Sequence, residues 1–234
     1  WPGGYEVWHE PPTLAIPPGS RVGEGDRLRV SFFHTVTIYD NQVTCCLAEP
    51  KVFDLIEDEV RRVNDLLAPK TWFLSHDEIR VANWCDACRK EGRTAGGLLA
   101  ENVSRCAAIV KKVDPDAELC VWSDMFDPHH NARADFYLVN GDLAGSWEGL
   151  PKEMTVVNWN SGRPKESLPF FGGRGHRQVL AGYYDGDPKG IAGWLKAADG
   201  VPGVDGVMYT TWRGDFSGLE AFAEAAWGGG AEMR

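Results

Sequence analysis

Hydrophobic and polar positions along this chain form blocks that predict helices and strands in turn. Residues 50–67 predict a helix, because apolar side chains recur every three or four positions behind Pro50, which suits a first helical turn. A second helix is predicted over about 97–112. Four shorter helical patterns follow, over 132–139, 164–173, 188–199 and 216–227. The pattern over 164–173 is weak and is also compatible with a loop.

Short apolar runs between these helices predict parallel strands. The runs cover 28–36, 71–75, 118–123, 154–158, 178–182 and 205–210, and Asp40-Asn41 offers a turn after the first. Strands that alternate with helices form a parallel sheet in an α/β fold, either as a barrel or as an open sheet. No GxGxxG or GxxxxGK[ST] motif follows a strand, so no nucleotide cofactor is predicted.

Aromatic and acidic side chains follow the predicted strands at their C-terminal ends. In chain order they are His34, Asp77 and Glu78, Trp122 and Asp124, Trp159, Tyr183 and Asp185, and Trp212. Core packing explains one or two such residues, but not one set at every strand end. The pattern is typical of the ring of residues around the catalytic mouth of a barrel.

The acidic pair Asp77-Glu78 directly follows an apolar strand and His76. Two adjacent carboxylates in a partly dry pocket do not both ionise easily, so one of them tends to keep its proton, as a general acid must. The same pair also suits a helix N-terminus, where negative charge interacts favourably with the helix dipole. The pair alone does not decide between the two interpretations.

Composition describes one soluble globular domain of 234 residues, with an irregular Pro/Gly-rich segment over 1–26. The net charge of −10 argues against nucleic acid or an anionic membrane as a partner. No apolar run approaches the roughly 20 residues of a membrane span. Ten tryptophans are many for this length. Because aromatic faces pack against sugar rings, this count favours a carbohydrate ligand.

Six cysteines allow several interpretations. Cys85 and Cys88 have the CxxC spacing of metal or redox sites, and Cys45 and Cys46 could supply further thiolates to a zinc ion. A disulfide within this group and buried free thiols are the alternatives, and free thiols are favoured. We therefore predict no metal at the active site.

The ordered set of motifs over about 70–227 resembles glycoside hydrolase family 20, the β-N-acetylhexosaminidases. That family has a (β/α)8 TIM barrel with Asp-Glu after the fourth strand, which Asp77-Glu78 matches. The later family motifs match Trp122, Trp159, Tyr183-Tyr184-Asp185 and Trp212. Two positions depart from the family: Ser75-His76 replaces a Gly-Gly pair, and Gly214 stands where a Glu follows the last Trp.

The resemblance implies eight strands, whereas the sequence predicts only about six β/α units. Residues 1–26 are too few for two further units, so the barrel is expected to be incomplete. We expect the gap to be covered by residues 1–26, by a partner chain in a homo-oligomer or by upstream sequence.

The resemblance also implies a substrate-assisted mechanism, an exception to the usual two-carboxylate scheme. Glu78 would protonate the leaving oxygen, and Asp77 would orient the 2-acetamido group of the sugar. Tyr183 would bind the acetamido oxygen. The other site residues would contact the substrate: His76, Trp122, Asp124, Trp159, Asp185 and Trp212.

Three alternatives remain at this stage. A two-carboxylate glycanase would pair Glu78 with Asp185 or Asp124. A carbohydrate-binding barrel would have the cleft but no turnover. A metal-dependent hydrolase based on Asp127 and the His129-His130 pair has least support, because adjacent histidines point in different directions.

Overall fold

A computed structural model describes residues 13–31, 37–38, 42–43, 45–90 and 92–228. The chain divides into two compact units, Trp1–Cys45 and Cys46–Arg234. In its described part, the smaller unit contains one antiparallel pair of short strands, β1 (Thr37–Ile38) and β2 (Gln42–Val43).

The predicted strand over 28–36 is wrong for the residues that are described. Residues 28–31 are not in a strand, and the side chains of Leu28 and Val30 stay 48% and 46% exposed. An apolar run becomes a strand only where neighbouring strands and a buried face support it, and these side chains have no such face. Three further positions of this prediction lie outside the described residues: His34, Asp40 and Asn41.

The larger unit alternates strands and helices. In chain order its elements are α1 (Pro50–Leu67), β3 (Thr71–Phe73), β4 (Val81–Ala82), α2 (Ala95–Val113), β5 (Glu118–Trp122), β6 (Leu138–Val139), β7 (Thr155–Asn158), α3 (Pro164–Gly173), β8 (Gln178–Leu180), α4 (Ile191–Ala198), β9 (Val204–Val207) and α5 (Leu219–Trp227). Short 3-10 helices span Asp124–Phe126, Ser146–Gly149 and Pro188–Gly190.

Five of the strands form one parallel sheet in the order β3-β5-β7-β8-β9. The prediction of an α/β fold with a parallel sheet is therefore confirmed, with five of the six predicted strands. The order of the strands in the sheet is also their order in the chain. Within the described residues, no strand pairing joins β9 to β3.

The two faces of this sheet have different surroundings. Val121 and Val156 point to a buried core that α1 and α2 cover, and Leu180 points to a second core formed with α3, α4 and α5. On the opposite face, a small cluster around Val157 and Ala181 contains strand and loop residues only. The helices thus cover one face of the sheet and leave the other for a site.

Close backbone contacts fix α2 against the 3-10 helix over 146–149. Thr94 caps the start of α2 by accepting a hydrogen bond of 3.0 Å from the Gly97 N–H. A Cβ atom on Gly96 would lie 2.1 Å from the Ala144 carbonyl oxygen, and one on Gly149 would lie 2.1 Å from the Ala100 carbonyl oxygen. Glycine is therefore required at both positions for steric reasons.

The predicted short helix over 132–139 is wrong. Asp135 and Tyr137 have positive φ angles of 58° and 46°, which a right-handed helix does not allow. The segment instead ends in β6, which pairs in parallel with β4 in a separate two-stranded sheet. None of the described helices is both long and apolar enough to cross a membrane.

Candidate active site

A cleft of about 450 Å³ lies at the C-terminal edge of the five-stranded sheet. Its lining residues are Asp77, Glu78, Trp122, Trp159, Ala181, Tyr183, Tyr184, Thr210 and Trp212. Each lies at or beyond the C-terminal end of one of the five strands, where parallel α/β folds place their functional groups. The cleft therefore brings together the acidic pair and four of the predicted aromatic residues.

The loop that carries the acidic pair has an unusual backbone. Ser75, His76 and Glu78 have φ angles of 55°, 61° and 44°, in the left-handed region that glycine favours. A non-glycine residue in this region costs roughly 1–2 kcal/mol. Three such residues within four positions need compensating contacts.

His76 supplies part of this compensation, and it does not line the cleft. Its Nδ1 lies 2.7 Å from the Leu74 carbonyl oxygen, and its Nε2 lies 2.9 Å from Oδ1 of Asn102. Asn102 is buried on α2 and donates from Nδ2 to the Leu47 carbonyl oxygen at 2.8 Å. Burial lowers the pKa of His76. Its ring ties the loop to α2.

Glu78 forms an ion pair inside the larger unit. Its Oε2 accepts a hydrogen bond of 2.5 Å from Nη2 of Arg80, whose side chain is 9% exposed, whereas the Glu78 side chain is 40% exposed. Arg80 thus occupies one of the two carboxylate oxygens.

Asp124 does not line the cleft, contrary to the expected contact with substrate. It is fully buried, and its Oδ2 accepts hydrogen bonds from the Glu78 backbone N–H at 2.9 Å and from Asn131 Nδ2 at 2.8 Å. Its Oδ1 accepts one from Trp159 Nε1 at 3.1 Å. Burial raises the pKa of Asp124 to about 7, although these donors act in the opposite direction. Asp124 positions one acidic and one aromatic residue of the cleft.

Asp185 has a similar supporting position and is also absent from the lining. Its carboxylate accepts hydrogen bonds from the Thr211 hydroxyl, from the Trp212 N–H at 2.7 Å and from the Arg213 N–H at 3.2 Å. These bonds, above all the one from Thr211, lower the pKa of Asp185. The residue holds the loop that presents Trp212.

Tyr183 is buried and stacks on Tyr209 with a ring-centroid distance of 4.1 Å. A hydrogen bond with the Tyr209 hydroxyl raises the pKa of Tyr183 to about 12. Its phenol therefore keeps its proton over the physiological pH range.

The aromatic residues form a wall with an exposed rim and a base that a hydrogen bond holds in place. Trp159 is held by Asp124 and meets the His130 ring edge-on at 4.4 Å. Trp212 is 63% exposed and lies 6.1 Å from the Tyr184 ring. Fixed and exposed aromatic faces together suit a flat ligand with apolar C–H surfaces.

The cysteines group in part as expected. The sulfur atoms of Cys46, Cys85 and Cys88 lie within 4.8 Å of one another. Cys45 is exposed and belongs to the smaller unit. Among the described residues, Asp127, His129 and His130 do not form a metal-binding group.

Neither a scan of protein-family models nor a search of curated proteins finds a match to this chain. Its function is therefore inferred from the geometry of the cleft.

Two supporting residues were missed by the sequence analysis. Arg80 contacts Glu78, and Asn131 contacts Asp124. A signal existed for Arg80, since a charged residue stands between Ile79 and Val81 in an apolar segment. No local pattern marks Asn131, because its partner lies across a loop.

Proposed function

We propose that this chain is a glycoside hydrolase that acts on β-linked amino sugars. The observation that carries the proposal is the shared cleft of Asp77, Glu78 and an aromatic wall. A sugar presents apolar C–H faces to aromatic rings and a glycosidic oxygen that needs a proton, and both requirements are met within one site.

We further propose that the parallel sheet belongs to an incomplete (β/α)8 TIM-barrel-like domain. In a doubly wound sheet the strand order reverses and helices cover both faces. Here the strand order follows the chain, and the helices that the structure describes pack on one face. Both features support a barrel wall over an open doubly wound sheet.

The backbone before the acidic pair supports the resemblance to family 20. That family has Gly-Gly where this chain has Ser75-His76. Both residues nevertheless adopt the left-handed conformation that glycine favours. A left-handed backbone at these two positions is one that a Gly-Gly pair would adopt easily, and in this chain the contacts of the His76 ring stabilise it.

In the proposed mechanism, Glu78 donates a proton to the leaving glycosidic oxygen. The acetamido oxygen of the sugar attacks the anomeric carbon, and Asp77 orients the acetamido group and balances its developing positive charge. Tyr183 donates a hydrogen bond to the acetamido oxygen. Water then completes hydrolysis with Glu78 as the base.

The positions of the other carboxylates favour this scheme over a two-carboxylate glycanase. Asp124 is fully buried, and the carboxylate of Asp185 is bound to the Trp212 loop. Among the described residues, the carboxylates that line the cleft are those of Asp77 and Glu78. A substrate that brings its own nucleophile needs no further carboxylate.

The experiment compares aryl β-glycosides with and without a 2-acetamido group. We expect hydrolysis of the acetamido substrate only, and a loss of at least roughly 10² in rate for Glu78→Gln. Asp77→Asn should lose activity to a similar extent, whereas Asp185→Asn should retain more of it. Glu153→Gln, on an exposed residue, is the matched control.

Three results would contradict the proposal. Equal turnover of substrates that lack the acetamido group would favour the glycanase alternative, as would azide rescue of Asp185→Gly or Asp124→Gly. Sugar binding without turnover of any substrate would favour a carbohydrate-binding barrel.

A further inference from the structure

Three cysteine sulfur atoms converge at one point of the larger unit. The Sγ atom of Cys46 lies 3.4 Å from that of Cys85 and 3.4 Å from that of Cys88. All three sulfur atoms lie within 4.8 Å of one another, although 39 residues separate Cys46 from Cys85. One thiol is therefore equally close to both members of the CxxC pair.

Backbone and side-chain hydrogen bonds build the turn that carries the CxxC pair. The Cys85 carbonyl oxygen accepts hydrogen bonds from the N–H groups of Cys88 at 3.1 Å and Arg89 at 3.0 Å. The nearly buried Arg93 side chain donates to the carbonyl oxygens of Ala87, at 2.9 Å, and Cys88. These bonds hold the two sulfur atoms of the turn in place.

The helix α2 also holds the segment that carries the third thiol, that of Cys46. Asn102 on α2 donates a hydrogen bond of 2.8 Å to the carbonyl oxygen of Leu47, the neighbour of Cys46. Arg93 in turn pairs with Glu101 of α2 at 2.8 Å. Both segments are therefore attached to α2 at adjacent residues.

The remaining two buried cysteines provide a contrast. Cys106 and Cys120 belong to hydrophobic clusters, where a thiol acts as a small apolar side chain. Cys46, Cys85 and Cys88 belong to none of these clusters. Packing of apolar side chains thus does not account for their grouping.

Thiolate chemistry distinguishes the two common uses of such a group. A disulfide would join two of the sulfur atoms and leave the third without a role. A zinc ion uses all three, because it binds thiolates at about 2.3 Å in tetrahedral geometry. That geometry places neighbouring sulfur atoms about 3.8 Å apart, close to the 3.4 Å found here.

We propose that Cys46, Cys85 and Cys88 bind one zinc ion with a structural role. The three thiolates supply three of the four tetrahedral positions. The ion would link the start of α1 to the turn after β4, in the segment that follows the acidic loop. This inference does not depend on the proposed glycosidase activity.

The test measures zinc in protein purified under reducing conditions without chelator. We expect about one zinc per chain, and a loss of at least roughly tenfold in bound zinc for Cys46→Ser, Cys85→Ser and Cys88→Ser. The matched controls Cys106→Ser and Cys120→Ser should keep their zinc. Because Cys85 is exposed, Cys85→Ser is the variant best suited to fold without the metal.

A second measurement uses cobalt in place of zinc. Wild-type protein loaded with Co²⁺ should show a tetrahedral spectrum with thiolate charge-transfer absorption, and Cys85→Ser should lose that absorption. Wild-type protein with reduced thiols that binds neither ion would overturn the proposal. Mass-spectrometric detection of a stable disulfide within the group in protein handled without reductant would also overturn it.

Discussion

The buried carboxylate of Asp124 accepts a hydrogen bond of 2.9 Å from the backbone N–H of Glu78. This bond joins the segment after β5 to the acidic loop after β3, so two neighbouring strands share the positioning of one cleft residue. The same carboxylate accepts the indole N–H of Trp159 after β7. Asp124 therefore links the ends of three strands that are neighbours in the sheet, β3, β5 and β7.

Asp124 should make the stability of the protein depend on pH. Between about pH 4 and 7 the folded protein keeps a proton on Asp124, whose pKa is raised to about 7, whereas the unfolded chain, with its ordinary value of 3.8, has lost it. Asp124 therefore contributes its full stabilisation of the folded protein below about pH 4, and this contribution is lost as pH rises to about 7. At roughly 1.4 kcal/mol per pKa unit, the difference between 3.8 and about 7 corresponds to a loss of about 4 kcal/mol.

The measurement is urea unfolding across this pH range for wild type and Asp124→Asn. The amide cannot titrate, so the unfolding free energy of wild type minus that of Asp124→Asn should decrease from pH 4 to 7 and then stay constant. A difference that is flat over the whole range would contradict the assigned shift.

Trp159→Phe should move the same titration upward. The indole N–H donates to Asp124 Oδ1, and a donor favours the ionised carboxylate, so its removal should raise the pKa of Asp124 above about 7. The pH at which the change in stability ends should therefore also rise. Trp212→Phe is the control, because the indole of Trp212 is exposed at the rim. Equal shifts in both variants would argue against the hydrogen bond as the cause.

Ser75→Gly and His76→Gly should have opposite effects on stability. Glycine relieves the left-handed strain at either position, worth roughly 1–2 kcal/mol, but costs about 0.5–1 kcal/mol in chain entropy. Ser75→Gly should therefore be neutral or stabilising by up to about 1 kcal/mol. His76→Gly also removes the ring contacts with the Leu74 carbonyl oxygen and with Asn102, of which a neutral ring makes one as an N–H donor, and should destabilise by about 1–2 kcal/mol. Equal unfolding free energies for the two variants would show that the His76 ring contributes nothing to the loop.

Gly149→Ala should destabilise the contact between α2 and the 3-10 helix. The new Cβ would lie 2.1 Å from a backbone carbonyl oxygen, so the backbone must shift at a cost of about 1–3 kcal/mol. Gly173→Ala is the control, because no heavy atom lies within 4 Å of its Cβ position at the end of α3. That change should be neutral or stabilise the helix by up to about 1 kcal/mol. Thermal unfolding of both variants gives the comparison.

The sequence was most informative where one segment determines its own structure. The helix predicted over 50–67 has those bounds, because its apolar face and initial proline are local signals. The strand ends near Trp122 and Trp159 were also predictable, because short apolar runs precede both residues. Their convergence in one cleft follows from the parallel arrangement of neighbouring strands.

The sequence was least informative where distant residues determine the outcome. Asp124 follows a strand just as Asp77 does, yet it is fully buried by contacts with Glu78 and Asn131. No local pattern distinguishes a carboxylate that lines a cleft from one that supports it from beneath. The short pairing of β4 with β6 was missed for the same reason, since strands of two residues leave no periodic signal.

The agreement between strand order and chain order has a consequence for folding during synthesis. Within the five-stranded sheet, each new strand can pair with the sheet strand made before it, and β9 is the last made of the described strands and lies at one edge. No strand of this sheet must wait for a later one, so it can grow in one direction at the pace of translation, roughly 5–20 residues per second. The nascent chain should therefore gain protease resistance in steps, one strand and helix at a time.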